Sequence, residues 1–279
     1  MQAVILGDGA MGRAVAAMLA DRGHTVLGVL GKPAGRHPGS AFGAAEVAFD
    51  FSAGPAVPSN VRDALDGGCT RLVIGTTAWD ASRADVERLL RERGASAVAA
   101  SSFSPGAALL ARLAEEVTRQ LGAMPEYDPF VMEWHRRTKT DRPSGTAREL
   151  SRRILAASPR KRRVADGTRD GPPDPDELDV TSVRAGASPG MHVVGFDAPG
   201  ETLELRLTAR DRTPYASGAV AAAEWLLAAP RHPGLHAFEP VLTDRPSVAP
   251  PGAAPRLDPA ASAATSSSPV AMQPEGAVR

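Results

Sequence analysis

Lysine is almost missing from this chain. Of its 32 basic residues only Lys32, Lys139 and Lys161 are lysines, and the other 29 are arginines. A composition that avoids lysine so strongly makes each retained lysine a residue to account for. Cysteine is rarer still: Cys69 stands alone, which excludes an intramolecular disulfide framework and fits a reducing cytosol. Net charge is absent, with 32 acidic residues against 32 basic. That balance argues against a nucleic-acid-binding surface or a polybasic membrane anchor. No apolar run approaches the roughly 20 residues that span a bilayer; residues 216–229 come nearest, and Glu224 interrupts them. The N-terminal residues 1–6 show no basic region or cleavage site, so no secretory signal is expected. These absences predict a soluble cytoplasmic protein with neither nucleic acid nor membrane as partner. The 279 residues suffice for one sizeable core or two modest ones.

From about Asp244 onward Ala, Pro and Ser dominate, without periodicity and with too little bulk to offset the entropy of ordering. Residues 244–279 are therefore expected to form a disordered tail, with a docking segment for a partner as the functional alternative.

Residues 133–147 carry the most chemistry. They place an imidazole (His135), an ammonium four residues on (Lys139) and two guanidiniums (Arg136, Arg137) shortly before Pro143, Ser144, Gly145 and Thr146. That last run reads as the start of a helix over residues 147–157. Such a cluster suits a small substrate that bears negative charge and needs a proton. Taken singly, a histidine is usually a satisfied core or surface residue and a lysine a solvated one, so the weight rests on the whole segment. Glu133 reads as structural, pairing with an arginine, and Asp141 as holding the loop. The basic run at residues 160–163 reads as a solvated helix end and loop.

The first hundred residues have a different signature. An apolar strand over residues 3–6 enters Gly7, Asp8, Gly9, Ala10, Met11 and Gly12. A helix is expected from Arg13 to about Arg22, and a second strand over residues 25–30. Strand, G-x-G-x-x-G, helix and strand within about thirty residues is the context in which this motif binds a dinucleotide. Gly7 permits the tight turn, Gly9 lets backbone approach a pyrophosphate, and Gly12 allows close helix–strand packing. The phosphates then lie at the helix N-terminus. Beyond the second strand no carboxylate follows Leu30, but Lys32 does, with Arg36 nearby. A cation there suits the 2′-phosphate of NADPH rather than NADH, although Lys32 also reads as a solvated loop charge. Two further strands end in Gly75, Thr76, Thr77 and in Ala100, Ser101, Ser102, Phe103. Small hydroxylic residues and glycine at successive strand ends are what a doubly wound sheet needs along its ligand crevice; each also reads as a capped loop. No metal is expected.

Together these segments resemble the 4-hydroxy-tetrahydrodipicolinate (dihydrodipicolinate) reductase family over about residues 1–230. The resemblance runs through the Gly7–Gly12 loop, Phe49-Asp50-Phe51-Ser52, Gly75-Thr76-Thr77 and residues 100–106. Its most specific part is residues 133–147, similar to the family signature E-x-H-H-x-x-K-x-D-A-P-S-G-T-A. Residues 182–186 with 190–192, and 209–212 with 215–219, complete it.

The resemblance implies an α/β fold: a Rossmann-like dinucleotide-binding domain (residues 1–106 plus 215–243) with an inserted α+β domain (residues 107–214) for substrate binding and oligomerisation. The insert is expected to hold an open mixed sheet with strands near residues 129–133, 179–184, 191–196 and 202–208. Leu203, Leu205 and Leu207 alternating with Glu204 and Arg206 fit a sheet with one buried face. Pairing of that sheet between subunits implies a homotetramer. The implied reaction is hydride transfer from NAD(P)H to a cyclic dicarboxylic imine with loss of its hydroxyl as water. His135 and Lys139 then hold the acid/base positions, while the amides of Gly145 and Thr146, with the Thr146 hydroxyl, hold a substrate carboxylate. Several positions depart from the family pattern. Arg136 replaces the second histidine and can bind a carboxylate bidentately, Arg142 replaces an alanine, Ser102 an asparagine, and Leu207 a frequent histidine. The rival readings are a related reductase of another imino or amino dicarboxylic acid, and a silent nucleotide sensor.

Overall fold

In the computed structural model, which describes residues 1–31, 36–165 and 171–244, the chain begins in βα rhythm. β1 (Gln2–Leu6), α1 (Ala10–Asp21), β2 (Thr25–Leu30), β3 (Val47–Asp50), α2 (Val57–Asp66), β4 (Arg71–Ile74), α3 (Arg83–Glu92) and β5 (Ser96–Ala99) come first. α4 (Pro105–Leu121) leads into β6 (Asp128–His135), α5 (Gly145–Ala157), β7 (Arg163–Val164), β8 (Glu177–Arg184), β9 (Met191–Ala198) and β10 (Glu201–Thr208). The chain then returns through α6 (Thr213–Ala228), β11 (Gly234–His236) and α7 (Glu239–Thr243).

The first sheet is wholly parallel, in the order β11-β5-β4-β3-β1-β2. Because side chains alternate along a strand, Ala3 and Ile5 face one side and Val4 and Leu6 the other. The Ile5 side packs with Val15 and Leu19 of α1 and with Val220 and Trp225 of α6. The Leu6 side packs with Val61 of α2 and with Val86 and Leu90 of α3. Cover on both faces is what a parallel sheet requires. The returning α6 thus completes the layer that α1 begins, and β11 adds an edge strand that sequence patterning missed. Strand order reverses between β1 and β3, which opens a crevice beyond their C-terminal ends.

The second sheet is mixed, in the order β10-β9-β6-β8-β7. β6 and β8 run parallel, while β9 runs antiparallel to both β6 and β10. α4 and α5 cover one face, where Leu110, Leu150 and Ile154 meet Val131, Val194 and Phe196. The opposite face leaves Trp134 and Val183 each 39 % exposed. The fold class implied by the resemblance is therefore present, a Rossmann-like parallel sheet with an inserted α+β layer. The leucine alternation in β10 holds only in part: Leu205 and Leu207 join the core, but Leu203 lies at the sheet edge, 40 % exposed. Among the described residues no helix is long and apolar enough to cross a membrane. Of the expected tail, Asp244 caps α7 and residues 245–279 lie outside the described residues.

The basic run at residues 160–163 is not the solvated end expected of it. Lys161 is 3 % exposed and lies 2.5 Å from Asp128 Oδ1. The Arg160 guanidinium donates to the carbonyls of Gly122, Pro125 and Tyr127. The run closes over the α4–β6 connection, and the Arg160 guanidinium supplies donors to its carbonyls. Arg160→Ala should therefore cost about 1–3 kcal/mol, read from the urea midpoint. Arg162→Ala, at an exposed neighbour, should change stability by less than about 0.5 kcal/mol.

Candidate active site

The glycine-rich turn is built by close approach. Gly7 has φ +105°, and a Cβ there would sit 2.3 Å from the Phe51 carbonyl oxygen; at Gly12 it would sit 1.9 Å from the Gly7 carbonyl oxygen. At Gly9 a Cβ would meet nothing within 4 Å, so that side of the turn is open. Helix α1 begins at Ala10 rather than Arg13, which moves Ala10, Met11 and Gly12 into its first turn. Its N-cap Gly9 has no side chain to cap it, leaving those amides for a ligand at the crevice. The end of β2 is not without a carboxylate either. Asp8 reaches it from the turn, with Oδ2 3.5 Å from where a Gly31 Cβ would stand. Lys32 lies outside the described residues, and Arg36 is already engaged by Asp63 at 2.5 Å and Asp66 at 2.8 Å.

A second carboxylate organises the next two strand ends. Asp50, 1 % exposed, accepts from the Ser52 amide and hydroxyl, from Asn60 Nδ2 and, at 2.7 Å, from Thr76 Oγ1. Gly75 lies directly under the Phe51 ring. Thr76, Thr77, Ala100, Ser101 and Ser102 line a cleft of about 640 Å³, and Gly145 and Thr146 line it from the facing side. The start of α5 thus meets the β5 loop: a Cβ on Gly145 would be 3.9 Å from Ser101 Cβ. Phe103 is 2 % exposed and packs edge-on against Phe51 and Phe238, so only its backbone is available to a ligand. Arg153, also at this cleft, pairs with Glu149 of its own helix at 2.7 Å and ties α5 to Glu115 of α4 at 3.2 Å and to Glu239 of α7.

His135, Arg136 and Lys139 stand outside that lining, as does the Gly7–Gly12 turn. His135 is the last residue of β6, 7 % exposed, and shares its face with the fully buried Glu133. Antiparallel register sets His192 of β9 opposite Glu133. Glu133 Oε1 accepts from the Ser144 amide (2.9 Å), Ser182 Oγ (2.6 Å) and Arg184 Nη2 (2.7 Å). Its Oε2 lies 3.3 Å from His135 Nε2 and 3.6 Å from His192 Nε2, without an aligned hydrogen bond to either. Ser144 in turn caps α5 by accepting from the Ala147 amide, and its Oγ is 3.2 Å from His192 Nε2. The other His135 nitrogen, Nδ1, lies 3.3 Å from the Pro189 carbonyl. Lys139 Nζ is 2.7 Å from Asp141 Oδ1, while the Asp141 carbonyl accepts from Arg184. Arg136 is exposed and donates to Thr138 Oγ1.

Burial alone would raise the Glu133 carboxyl, but the close imidazoles of His135 and His192 and the hydrogen bonds from Ser144 and Ser182 outweigh it and hold the group ionised far below the usual carboxylate range. Burial pushes the His192 imidazole below its ordinary value, against the opposing pull of Glu133. Glu133, His135 and His192 bring donor atoms within 4.8 Å of one another, the composition of a metal-ligand set. The Arg184 guanidinium already neutralises that carboxylate, however, so the surroundings suit proton handling better than a second cation. Sequence reasoning missed His192, Asn60 and Arg153, and it named Asp8 only as part of the glycine-rich turn.

A profile of the dihydrodipicolinate reductase C-terminus matches residues 106–242. A 4-hydroxy-tetrahydrodipicolinate reductase of Magnetococcus marinus is 36 % identical over 234 residues, covering 79 % of this chain and 85 % of that protein. The chain belongs to the 4-hydroxy-tetrahydrodipicolinate reductase family. Its namesake in Methanopyrus kandleri is 33 % identical over 266 residues, 86 % of this chain and 95 % of that one. A dipicolinate-bound dihydrodipicolinate reductase from Paenisporosarcina has the same fold, with TM-score 0.66 at 20 % identity, covering 85 % of this chain and 97 % of that one. Use of a nicotinamide dinucleotide follows from family and fold together.

The buried pair gives this reductase-family chain an acid response of definite sign. Unfolded, His192 takes up a proton near its ordinary value of about 6.5; folded, it does so only at lower pH. Stability is therefore lost as pH falls below about 6.5. Glu133 adds a second loss below about 4.5, where the unfolded carboxylate protonates and the folded one stays ionised. Thermal midpoints across this range should show both limbs, and His192→Gln should flatten the first alone. An unchanged first limb in that variant would remove His192 from the response.

Proposed function

We propose that this chain reduces 4-hydroxy-tetrahydrodipicolinate to tetrahydrodipicolinate in the cytoplasm, releasing the hydroxyl as water, as a step of diaminopimelate and lysine biosynthesis. The observation that carries the reading is the meeting of the α5 N-terminus with the β5 loop across one cleft. Bound NAD(P)H supplies the hydride. Residues 1–106 with 215–243 bind the dinucleotide on the open side of the Gly7–Gly12 turn, and residues 107–214 bind substrate. The first amides of α5, at Gly145 and Thr146, have no intrahelical acceptor and hold one carboxylate of the substrate. As the ring accepts hydride, charge develops on its nitrogen, and the Lys139 ammonium donates the proton. His135 orients or relays it, and the exposed Arg136 guanidinium adds a cation for the second carboxylate.

With freshly generated substrate, NADPH absorbance should fall in the presence of the enzyme; its persistence would sink this reading. Lys139→Ala should lower turnover by about 10²–10⁴-fold while NADPH binding survives. Lys32 favours NADPH and Asp8 can hold the ribose hydroxyls of NADH, so the kcat/KM ratio for the two cofactors, with preference for NADPH, tests which group dominates. The outer face of the second sheet, with Trp134 and Val183 exposed, is the surface we assign to a homotetramer. Light scattering should give four chains, and Trp134→Glu should give fewer.

A further inference from the structure

We propose that Glu133 is the positioning residue of this reaction, one carboxylate whose two oxygens separately set the proton-handling imidazole and the anion-binding helix start. The proposal rests on the reading that His135 handles a proton and α5 holds a carboxylate. Oε1 receives three donors, and one of them is the Ser144 amide, the residue whose hydroxyl caps α5. That oxygen therefore fixes where the Gly145 and Thr146 amides point. Oε2 receives no aligned donor and faces the Nε2 atoms of both His135 and His192. With the Pro189 carbonyl at Nδ1, a proton on either nitrogen of the His135 ring finds an acceptor. The ring is held from its far side as well, because a Cβ on Gly190 would come 2.8 Å from His135 Cε1. The charged groups around this carboxylate are His135 on its own strand, Arg184 on β8, His192 on β9, and the Lys139–Asp141 pair in the loop after β6.

Glu133→Gln separates the two roles. Three donors on one side hold the amide oxygen there, so the NH₂ takes the Oε2 position and presents hydrogens where His135 and His192 had an acceptor. The cradle survives and the imidazole loses its partner. In the full-length enzyme with NADPH, E133Q should bind NADPH and dipicolinate within about threefold of wild type and keep its substrate KM, while kcat falls about 100-fold. In a His135→Gln background the same change should cost less than about twofold more, because it acts through that ring. Glu133→Ala removes both roles and should also weaken dipicolinate binding more than about tenfold. If the unpaired Arg184 keeps E133Q from folding, Glu133→Gln with Arg184→Met removes the lone buried charge and is held to the same kcat and KM criteria against Arg184→Met alone. A kcat within about threefold of the matching control, or an undiminished extra loss in the His135→Gln background, overturns the proposal. A wild-type enzyme that fails to reduce the substrate counts against the function instead, and dipicolinate binding by E133Q and Glu133→Ala still decides the Oε1 role.

Discussion

The carboxylate of Glu133 is a charge placed where no water reaches it, and the inserted layer is arranged to make that tolerable. A buried, unpaired carboxylate is costly by several kcal/mol. Here it is offset by groups drawn from four elements: Ser182 and Arg184 on β8, the Ser144 amide before α5, and the imidazoles on β6 and β9. Except for His135, none of these groups is placed by local sequence alone. Two-residue alternation puts His135 beside Glu133 on one face of β6. Parallel register puts Ser182 opposite Glu133, and antiparallel register puts His192 opposite it on the other side. A one-residue slip of either neighbour would turn its donor to the far face, so the carboxylate also specifies the pairing of the sheet that holds it.

The dinucleotide layer repeats the device with a different partner set. Asp50 at the end of β3 collects hydroxyl, amide and backbone donors from Ser52, Asn60 and Thr76. The loops after β3 and β4 are thereby locked together without any cation. That leaves their remaining small polar groups free at the crevice, where a ligand can use them. The two layers meet along α4 and α5, and Arg153 binds carboxylates from α4, α5 and α7 at their shared cleft. The meeting of the β5 loop with the start of α5 is thus a consequence of packing rather than of loop flexibility.

What the sequence disclosed follows the range of the forces involved. The βα rhythm, the glycine turn and the capped start of α5 are written in neighbouring residues, and they were legible as such. Glu133 was read as the partner of an arginine, and Arg184 is that arginine. His192, Asn60 and the approach of Asp8 to Gly31 were not legible, because each is created by register or by a turn that brings distant residues together. The burial of Lys161 was missed for the same reason. A basic run looks solvated until the loop whose carbonyls it satisfies is known to lie beneath it. Edge strands such as β7 and β11 are too short to carry a period.

The positions where this chain departs from its family lie mostly outside the buried hub. Arg136, in place of the second histidine, is exposed with its guanidinium donating to Thr138 Oγ1, and Arg142 is exposed as well. Neither side chain touches the Glu133 network, whose balance of one carboxylate, one guanidinium and two imidazoles stays intact. Leu207 is the exception. It stands opposite His192 in the β9–β10 register and comes within reach of Gly106 at the start of α4. An apolar side chain there removes a hydrogen-bonding group from one flank of His192. Burial of that imidazole is what pushes it toward its neutral form. A neutral His192 beside an ionised Glu133 adds no second buried cation to the hub, and an apolar neighbour at 207 is consistent with that balance.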